Sequence, residues 1–361
     1  MSETVLMKGN EAVAEAALRA GLDFYAAYPI TPQTEILEYL SKKMPELGRV
    51  CVQADSEITA INMIMGAAYT GKRVLTSSAG PGISLKQEGL SYCAANDLPV
   101  VYVDVQRGGN GLANMGSCQT EYKREVTGGG NGDYHAIILA PASVQETADM
   151  VSLAYELAEK YRNIVGIMTE ATIGQLVEPV TFKEAVDPAS LPVPSWAKTG
   201  KMISSSDEPI KPRIKDAKPK ADRAKYFQMK EEVQMWESTN VDDADYVVFA
   251  FGAPSRVVYD ALLILREEGQ KIGMIRPQTL WPYPEKALEE LKEDVKGLIS
   301  LETNCTGQML PDVALARDLH FKDRHVPVYS CAYIVLDRIP TVMQVVDDIK
   351  AIISGQTEEA Y

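Results

Sequence analysis

Apolar and polar positions in the first 180 residues switch between helical periodicity and short, mainly apolar runs. The run at 99–105 is typical of a strand buried on both faces of a sheet. Further strands are predicted at 24–27, 50–52, 73–76 and 164–168, with helices starting near Asn10, Thr34, Ser56, Ser84 and Ser143. Repeated units of this kind predict an α/β fold, with a parallel sheet covered by helices on both faces.

The pattern divides the chain into three parts. Residues 1–180 form the first α/β domain. Residues 181–242 are rich in proline and lysine and contain three serines at 204–206, which predicts an extended linker or arm without a core of its own. That segment either wraps a partner or is a loose linker. A second βα series over 243–361 predicts a smaller α/β domain.

Composition and charge exclude several classes of protein. The formal charge of −14 argues against a nucleic-acid-binding protein, because phosphate backbones require a basic surface. The five cysteines form no CxxC pair, and the three histidines form no HExxH or other metal-ligand spacing. No secretion signal and no apolar run long enough to span a membrane are present, so we expect a cytoplasmic protein with reduced thiols.

Candidate chemistry lies in five loops that we expect at the carboxyl ends of the strands, where parallel sheets bind ligands. These loops are 28–32, 53–57, 77–82, 106–111 and 128–133. The first, Tyr28-Pro29-Ile30-Thr31-Pro32, is held rigid by its two prolines. It could present a carbonyl group and the Thr31 hydroxyl to a ligand, or it could be only a tight turn in which Thr31 caps the next helix.

Two charged residues and one turn can likewise be interpreted either as ligand-binding or as purely structural features. Glu57 begins an otherwise apolar helix, so it either complements the helix dipole or is a buried acid that binds a basic heterocycle. Arg107 ends a buried strand, where it either grips a carboxylate or lies on the surface. The turn at 77–82 is neither a Walker A loop nor a GxGxxG motif. It either cradles an anion or makes a close backbone turn.

Together these loops resemble one family, the alpha subunits of 2-oxoacid:ferredoxin oxidoreductases. The resemblance rests on YPITP at 28–32, SSAGPGISLKQE at 77–88, RGG at 107–109 and GQM at 307–309 after Glu302. The sequence of these motifs is most similar to that of the branched-chain type, which acts on 3-methyl-2-oxobutanoate (2-ketoisovalerate). The resemblance implies a thiamine diphosphate-binding fold of the pyrimidine type, followed by a smaller α/β domain like the C-terminal domain of transketolase.

The resemblance also implies roles for individual residues. Glu57 would hydrogen-bond N1′ of the aminopyrimidine, so that the cofactor supplies its own base. Thr31 and Arg107 would contact the carboxylate of the 2-oxoacid. The backbone of Tyr28, Pro29 and Ile30 would lie against the pyrimidine ring.

Missing motifs imply partner subunits. Gly132-Asp133-Tyr134 does not fit the Gly-Asp-Gly motif with which thiamine enzymes hold Mg²⁺, and cluster-spaced cysteines are absent. The family implies that a beta subunit holds Mg²⁺ and the diphosphate. Partner subunits, including gamma and ferredoxin-like delta chains or domains, would carry [4Fe–4S] clusters and pass electrons to ferredoxin. The reaction would convert a 2-oxoacid and coenzyme A to acyl-CoA and CO₂, with the electrons transferred to ferredoxin.

Two alternatives to the branched-chain enzyme are open. The first is a 2-oxoglutarate-specific enzyme, which would need a second cation for the distal carboxylate; Lys86 and Lys123 are the candidates. The second is a non-catalytic scaffold chain, although the presence of Glu57, Thr31 and Arg107 together argues against it.

Overall fold

A computed structural model describes residues 4–108, 115–200, 217–333 and 339–361. Gly109 and Gly111 of the loop after Arg107 lie outside these residues, as do Pro209, Pro212 and the serines at 204–206.

The first unit is built on a seven-stranded sheet in the order β12-β6-β7-β5-β4-β2-β3. All neighbouring strands are parallel except β12, which runs antiparallel to β6. The predicted parallel sheet is therefore confirmed. Its strands are β2 (Phe24–Ala27), β3 (Val50–Gln53), β4 (Val74–Ser78), β5 (Val100–Gln106), β6 (Ile137–Leu139), β7 (Ile164–Glu170) and β12 (Thr279–Trp281).

Helices cover both faces of this sheet. Alternate residues of β5 enter different cores: Val101 and Val103 belong to one apolar cluster, and Tyr102 belongs to the other. Because helices cover both faces, these strands are mainly apolar, and most of their polar residues lie toward their carboxyl ends. The helices are α1 (Gly9–Arg19), α2 (Thr34–Glu46), α3 (Glu57–Tyr69), α4 (Pro81–Ala95), α5 (Tyr122–Thr127), α6 (Val144–Tyr161) and α7 (Ala171–Gln175).

The second unit has a five-stranded sheet in the order β14-β13-β10-β11-β9, in which only β9 is antiparallel. Helices α9 and α11 pack together, and the apolar cluster on that side includes Val258, Leu262 and Ile349. The elements are β9 (Trp236–Thr239), β10 (Tyr246–Phe249), α9 (Gly252–Glu267), β11 (Ile272–Pro277), β13 (Gly297–Glu302), α10 (Leu310–His320), β14 (Val328–Ala332) and α11 (Val342–Ile353).

The segment at 181–242 contains regular structure where the sequence predicts an extended arm. Helix α8 (Ala217–Glu232) lies within it, and so does β9 of the second sheet. Met229 and Val233 are buried in the apolar cluster of the first unit. This part of the segment therefore packs against a core that other elements build. The domain boundaries at 180 and 242 stay a prediction.

Two other short strands frame the first unit. Strands β1 (Thr4–Lys8) and β8 (Val177–Thr181) pair antiparallel and were not predicted. They lie outside the seven-stranded sheet, and Leu6 and Val177 keep apolar side chains in solvent.

Several predicted boundaries differ from the structure. Helix α4 begins at Pro81 rather than near Ser84, because proline is well accommodated in the first turn of a helix. Pro45 lies in the last turn of α2, and a 3₁₀ turn spans Glu285–Glu290. The loop at 128–133 was wrongly placed at the carboxyl edge. It follows α5 and leads into the amino end of β6.

The two units meet at a buried carboxylate. Glu170 ends β7, and its Oε1 accepts a hydrogen bond of 3.1 Å from the amide of Ala253 in the first turn of α9. Gly252 has a φ of +62°, and a Cβ atom there would overlap Glu170 Oε1. Glycine is therefore required both by its own backbone conformation and by the close approach of α9 to Glu170.

Replacing Gly252 with alanine should weaken the contact between the units. The strained φ should cost about 1 kcal/mol, and the overlap with a fully buried carboxylate should add about 1–3 kcal/mol. Denaturant unfolding of the full chain would measure the loss.

Gly269→Ala is the matched control, because Gly269 has a φ of +86° and no atom within 4 Å of its added Cβ. It should show the backbone cost alone. Equal losses in the two variants would contradict the proposed steric role of Gly252.

Candidate functional site

Four loops of the first unit converge at the carboxyl edge of its sheet. They follow β2, β3, β4 and β5, as the sequence predicts, and these strands are neighbours in the order β5-β4-β2-β3. The turn after β4 has the loop that carries Arg107 on one side. The loops that carry Thr31 and Glu57 lie on its other side, so this edge brings the predicted residues together.

Glu57 is the first residue of α3, whose N-cap Ser56 accepts a hydrogen bond from the amide of Thr59. The Glu57 side chain is buried, with 6% of the residue exposed. No hydrogen bond to its carboxylate is formed within the described part of the chain. The helix N-terminus favours the negative charge, but the carboxylate oxygens are left with hydrogen-bonding capacity that no described residue uses.

The turn after β4 approaches this carboxylate closely. A Cβ atom on Gly82 would lie 2.6 Å from Glu57 Oε1 and would also overlap Ser78 Oγ. The Ser78 hydroxyl is buried and has no hydrogen-bond partner in the described structure. Since buried polar atoms are ordinarily hydrogen-bonded, Glu57 and Ser78 together form a polar cradle that lacks its complement.

A fully buried cation lies one helical turn beyond Gly82. The ammonium group of Lys86 donates to Thr76 Oγ1 at 2.5 Å and to the carbonyl oxygen of Ser77 at 2.9 Å. Burial lowers the pKa of Lys86 to about 7, while the negative charges of Glu57 and Asp104 act in the opposite direction. Lys86 is thus part of the interior beneath the cradle.

The loop after β2 is fixed by hydrogen bonds to neighbouring elements. Asn10 donates to the carbonyl of Pro32 at 2.7 Å, and Gln33 donates to the carbonyl of Tyr28 at 3.1 Å. The Gln33 amide oxygen accepts a 2.6 Å hydrogen bond from Ser77 in β4. Thr31 is exposed, and the peptide bond between Thr31 and Pro32 is cis. The hydrogen bonds fix the conformation of the loop, while Thr31 remains accessible to solvent.

Arg107 is buried, with 4% of the residue exposed, rather than lying on the surface. Its Nη1 donates to the carbonyl oxygen of Thr31 at 3.1 Å and contacts Met115 Sδ at 3.2 Å. Its Nε is buried without a partner in the described structure. The predicted pair Thr31 and Arg107 is thus in direct contact, and the guanidinium group keeps an unused donor.

A group of buried charged residues packs next to Arg107. Arg124 binds the carboxylates of Asp104 at 3.1 Å and Glu125 at 2.8 Å, and it also contacts Glu121. Burial, together with the neighbouring charge of Glu121, raises the pKa of Asp104. Glu121 Oε1 also accepts the amide of Arg107 at 3.4 Å. This group connects α5 to the end of β5.

Sequence reasoning missed three buried polar residues at this edge. Gln106 is fully buried, and neither its amide oxygen nor its amide nitrogen has a partner in the described structure. Its register neighbour on β7 is Glu170, whose pKa burial raises to about 7. Gln119 donates to Glu170 at 3.0 Å. Glu170 could have been found, because it follows an apolar strand directly; Gln119 carries no such signal.

Other expected features concern metals and membranes. Within the described ranges, no group of three or more His, Cys, Asp or Glu side chains could hold a metal ion. His135 stacks on Trp281 at 4.4 Å between ring centroids, which makes it a packing residue of the interior. Among the described helices, none is both long and apolar enough to cross a membrane.

Two family models cover most of the chain. The model described as pyruvate flavodoxin/ferredoxin oxidoreductase, thiamine diphosphate-binding, matches residues 15–245. The model described as pyruvate:ferredoxin oxidoreductase core domain II matches residues 244–354.

Curated relatives are similar over nearly their full length. The chain is 43% identical to ketoisovalerate oxidoreductase subunit VorB of Methanothermobacter thermautotrophicus, covering 89% of this chain and 93% of the relative. It is 33% identical to 2-oxoglutarate synthase subunit KorA of Methanocaldococcus jannaschii, covering 79% and 85%.

Solved structures share the fold. The 2-oxoglutarate:ferredoxin oxidoreductase from Magnetococcus marinus, with 2-oxoglutarate, coenzyme A and succinyl-CoA bound, superimposes with a TM-score of 0.80 and 25% identity. The match covers 98% of this chain and 66% of that one. A split-gene transketolase matches with a TM-score of 0.61 at 14% identity, covering 96% and 98%. These likenesses confirm the predicted thiamine diphosphate-binding fold with a transketolase-like second domain.

Proposed function

Because this chain belongs to the pyruvate flavodoxin/ferredoxin oxidoreductase family, we propose that it supplies the pyrimidine half of a thiamine diphosphate site. The enzyme would be a 2-oxoacid:ferredoxin oxidoreductase that converts a 2-oxoacid and coenzyme A to acyl-CoA, CO₂ and reduced ferredoxin. The observation that carries this proposal is the buried Glu57 carboxylate, which has no hydrogen-bond partner in the described structure and lies beside Gly82 and the unpartnered Ser78 hydroxyl.

The residues of the cradle fit an aminopyrimidine. Glu57 would hold a hydrogen bond to the ring nitrogen N1′, and the Ser78 hydroxyl is a second buried polar atom without a partner among the described residues. Only glycine fits at position 82, since any side chain there would overlap Glu57 and Ser78. When bound, the cofactor would supply a carbon nucleophile for the carbonyl group of the 2-oxoacid. The backbone of Tyr28, Pro29 and Ile30 would lie against the ring.

We assign the carboxylate of the 2-oxoacid to Thr31 and Arg107. The Arg107 guanidinium group contacts the Thr31 backbone, and its Nε is unused by the described protein. A charge-assisted hydrogen bond from a buried guanidinium group is stronger than a neutral one. Arg107 would therefore bind and orient the substrate next to the cradle, while Thr31 presents its hydroxyl from the exposed side of the loop.

The other half of the site would come from a beta subunit that holds Mg²⁺ and the diphosphate. Helix α3 begins at Glu57 and exposes Ile58 and Met63, while the adjacent α4 exposes Leu85 and Tyr92. These apolar side chains lie on the same pair of helices as the cradle, which supports a protein partner at this face. Gamma and delta chains or domains would carry [4Fe–4S] clusters and pass electrons to ferredoxin.

We favour 3-methyl-2-oxobutanoate as the substrate. The higher identity to ketoisovalerate oxidoreductase subunits than to 2-oxoglutarate synthase subunits supports this choice. Both candidate cations for a second carboxylate already have partners: Lys86 binds Thr76 and Ser77, and Lys123 binds Asp312 at 3.2 Å. A branched apolar substrate needs no such cation.

Replacing Glu57 with glutamine should impair activation of the bound cofactor. In the assembled complex we expect turnover to fall about 10²- to 10⁴-fold, because glutamine cannot hold or exchange a proton at N1′. Exchange of the thiazolium C2 proton with deuterated solvent, followed by NMR, should slow in parallel.

The control is Glu267→Gln at the exposed end of α9, which should change neither quantity. C2 exchange at the wild-type rate in Glu57→Gln would overturn the assignment of Glu57.

The substrate choice is tested by a panel of 2-oxoacids assayed with coenzyme A and a low-potential electron acceptor. We expect kcat/KM for 3-methyl-2-oxobutanoate to exceed that for 2-oxoglutarate by at least about tenfold, since an unpaired distal carboxylate costs binding energy. A preference for 2-oxoglutarate would establish the alternative enzyme, and no activity with any 2-oxoacid in the complete complex would establish the scaffold chain.

A further inference from the structure

Gln119 connects the two units of the chain beside the candidate site. It lies between β5 and α5 and is fully buried. Its side-chain amide donates to Glu170 Oε1 at 3.0 Å and to the carbonyl of Phe251 at 2.8 Å. Its amide oxygen accepts from the backbone of Thr303 at 3.1 Å. One side chain therefore bridges the carboxyl ends of β7 and β13 and the residue before α9.

The backbone of Gln119 is held by the same loop of the second unit. Its amide donates to the carbonyl of Thr303 at 2.9 Å, and its carbonyl accepts from Asn304 Nδ2 at 3.2 Å. The loop at 303–308 thus binds both the main chain and the side chain of Gln119. Because every polar group of Gln119 is hydrogen-bonded, the residue is held in a single conformation.

The same loop makes a second, independent contact with the segment that follows. Gln308 donates to the carbonyl of Thr120 at 2.9 Å and accepts from the amide of Lys123 at 2.9 Å. The contact therefore extends from residue 119 to residue 123. We call the loop at 303–308, with its bonds to this segment, the clasp.

The clasped segment, and Gly116 shortly before it, contact the backbone at Arg107 and Gly108. Gly116 accepts a 2.6 Å hydrogen bond from the amide of Gly108, the Thr120 hydroxyl donates to the Arg107 carbonyl at 3.4 Å, and Glu121 accepts from the Arg107 amide at 3.4 Å. The main chain on both sides of the Arg107 side chain is thus tied to a segment that the second unit holds.

We propose that the second unit positions Arg107 for the 2-oxoacid through Gln119, with the clasp at 303–308 holding the segment that supports the Arg107 backbone. Gln119 is a positioning residue in this arrangement, since its bonds go to the protein and not to the reacting atoms. The proposal rests on the proposed role of Arg107 in binding the substrate carboxylate. It gives the second unit a part in substrate binding without contact with the substrate.

Two variants test the clasp from opposite sides. Gln119→Ala removes the bridge itself, and Gln308→Ala removes the neighbouring bonds from a partly exposed residue that does not touch Arg107. In the assembled complex, we expect each to raise KM for the 2-oxoacid, about tenfold for Gln119→Ala and less for Gln308→Ala. Neither should raise KM for coenzyme A, and kcat should change less than KM.

Hydrogen–deuterium exchange of the full chain provides a readout that does not depend on activity. Amides at 116–121 and at Thr303 should exchange faster in Gln119→Ala. The Thr303 amide loses its acceptor, the Gln119 side chain, and the hydrogen bond from the Gln119 amide to the Thr303 carbonyl is weakened. Gln175→Ala, which alters an exposed amide bonded to Glu35, is the control and should change neither exchange nor KM.

Arg107→Ala separates the proposal from the function on which it rests. Raised KM in Arg107→Ala, with normal KM in both clasp variants, would overturn the positioning role. Unchanged exchange at 116–121 in Gln119→Ala would overturn the clasp itself. Unchanged KM in Arg107→Ala would overturn the substrate role of Arg107 and with it the positioning role, while exchange would still decide whether the clasp holds the segment.

Discussion

A buried carboxylate needs compensation, and the chain compensates Glu57 only in part. The N-terminus of α3 favours the charge, yet no hydrogen bond reaches the carboxylate within the described structure. Around it, Gly82 lies too close to admit a side chain, Ser78 adds a second polar atom without a partner in the described structure, and the buried Lys86 interacts electrostatically with Glu57. Such an arrangement is costly in an isolated protein and is accounted for when a heterocycle occupies the cradle.

The fold fits the proposal that this chain supplies half of a divided site. A parallel sheet delivers the loops after β2, β3, β4 and β5 to one edge, which is enough to surround a ring and a small carboxylate. Within the described residues, no cluster of ligands for a metal ion is formed. Exposed apolar residues on α3 and α4 lie on the helices that begin at this edge. We therefore interpret the scarcity of histidine and of clustered cysteine as a division of labour between subunits.

The sequence predicted the parallel strands and the convergence of four site loops, because buried strands are continuous apolar runs and ligand loops follow them. Contacts made by isolated polar residues could not be predicted. Gln119 is an ordinary glutamine in an irregular segment, and its role depends on Thr303, far away in the chain. Strands β9 and β12 were also missed. Each is short and runs antiparallel at a sheet edge, so neither has the long apolar run of a central strand.

The most direct test of a divided site is the binding of thiamine diphosphate with Mg²⁺, measured by titration calorimetry. The chain should be examined alone and again after addition of the purified beta subunit. The account predicts saturable binding of the cofactor by the mixture, with none by this chain alone at the same concentrations. Binding of equal affinity by this chain without the beta subunit would contradict it.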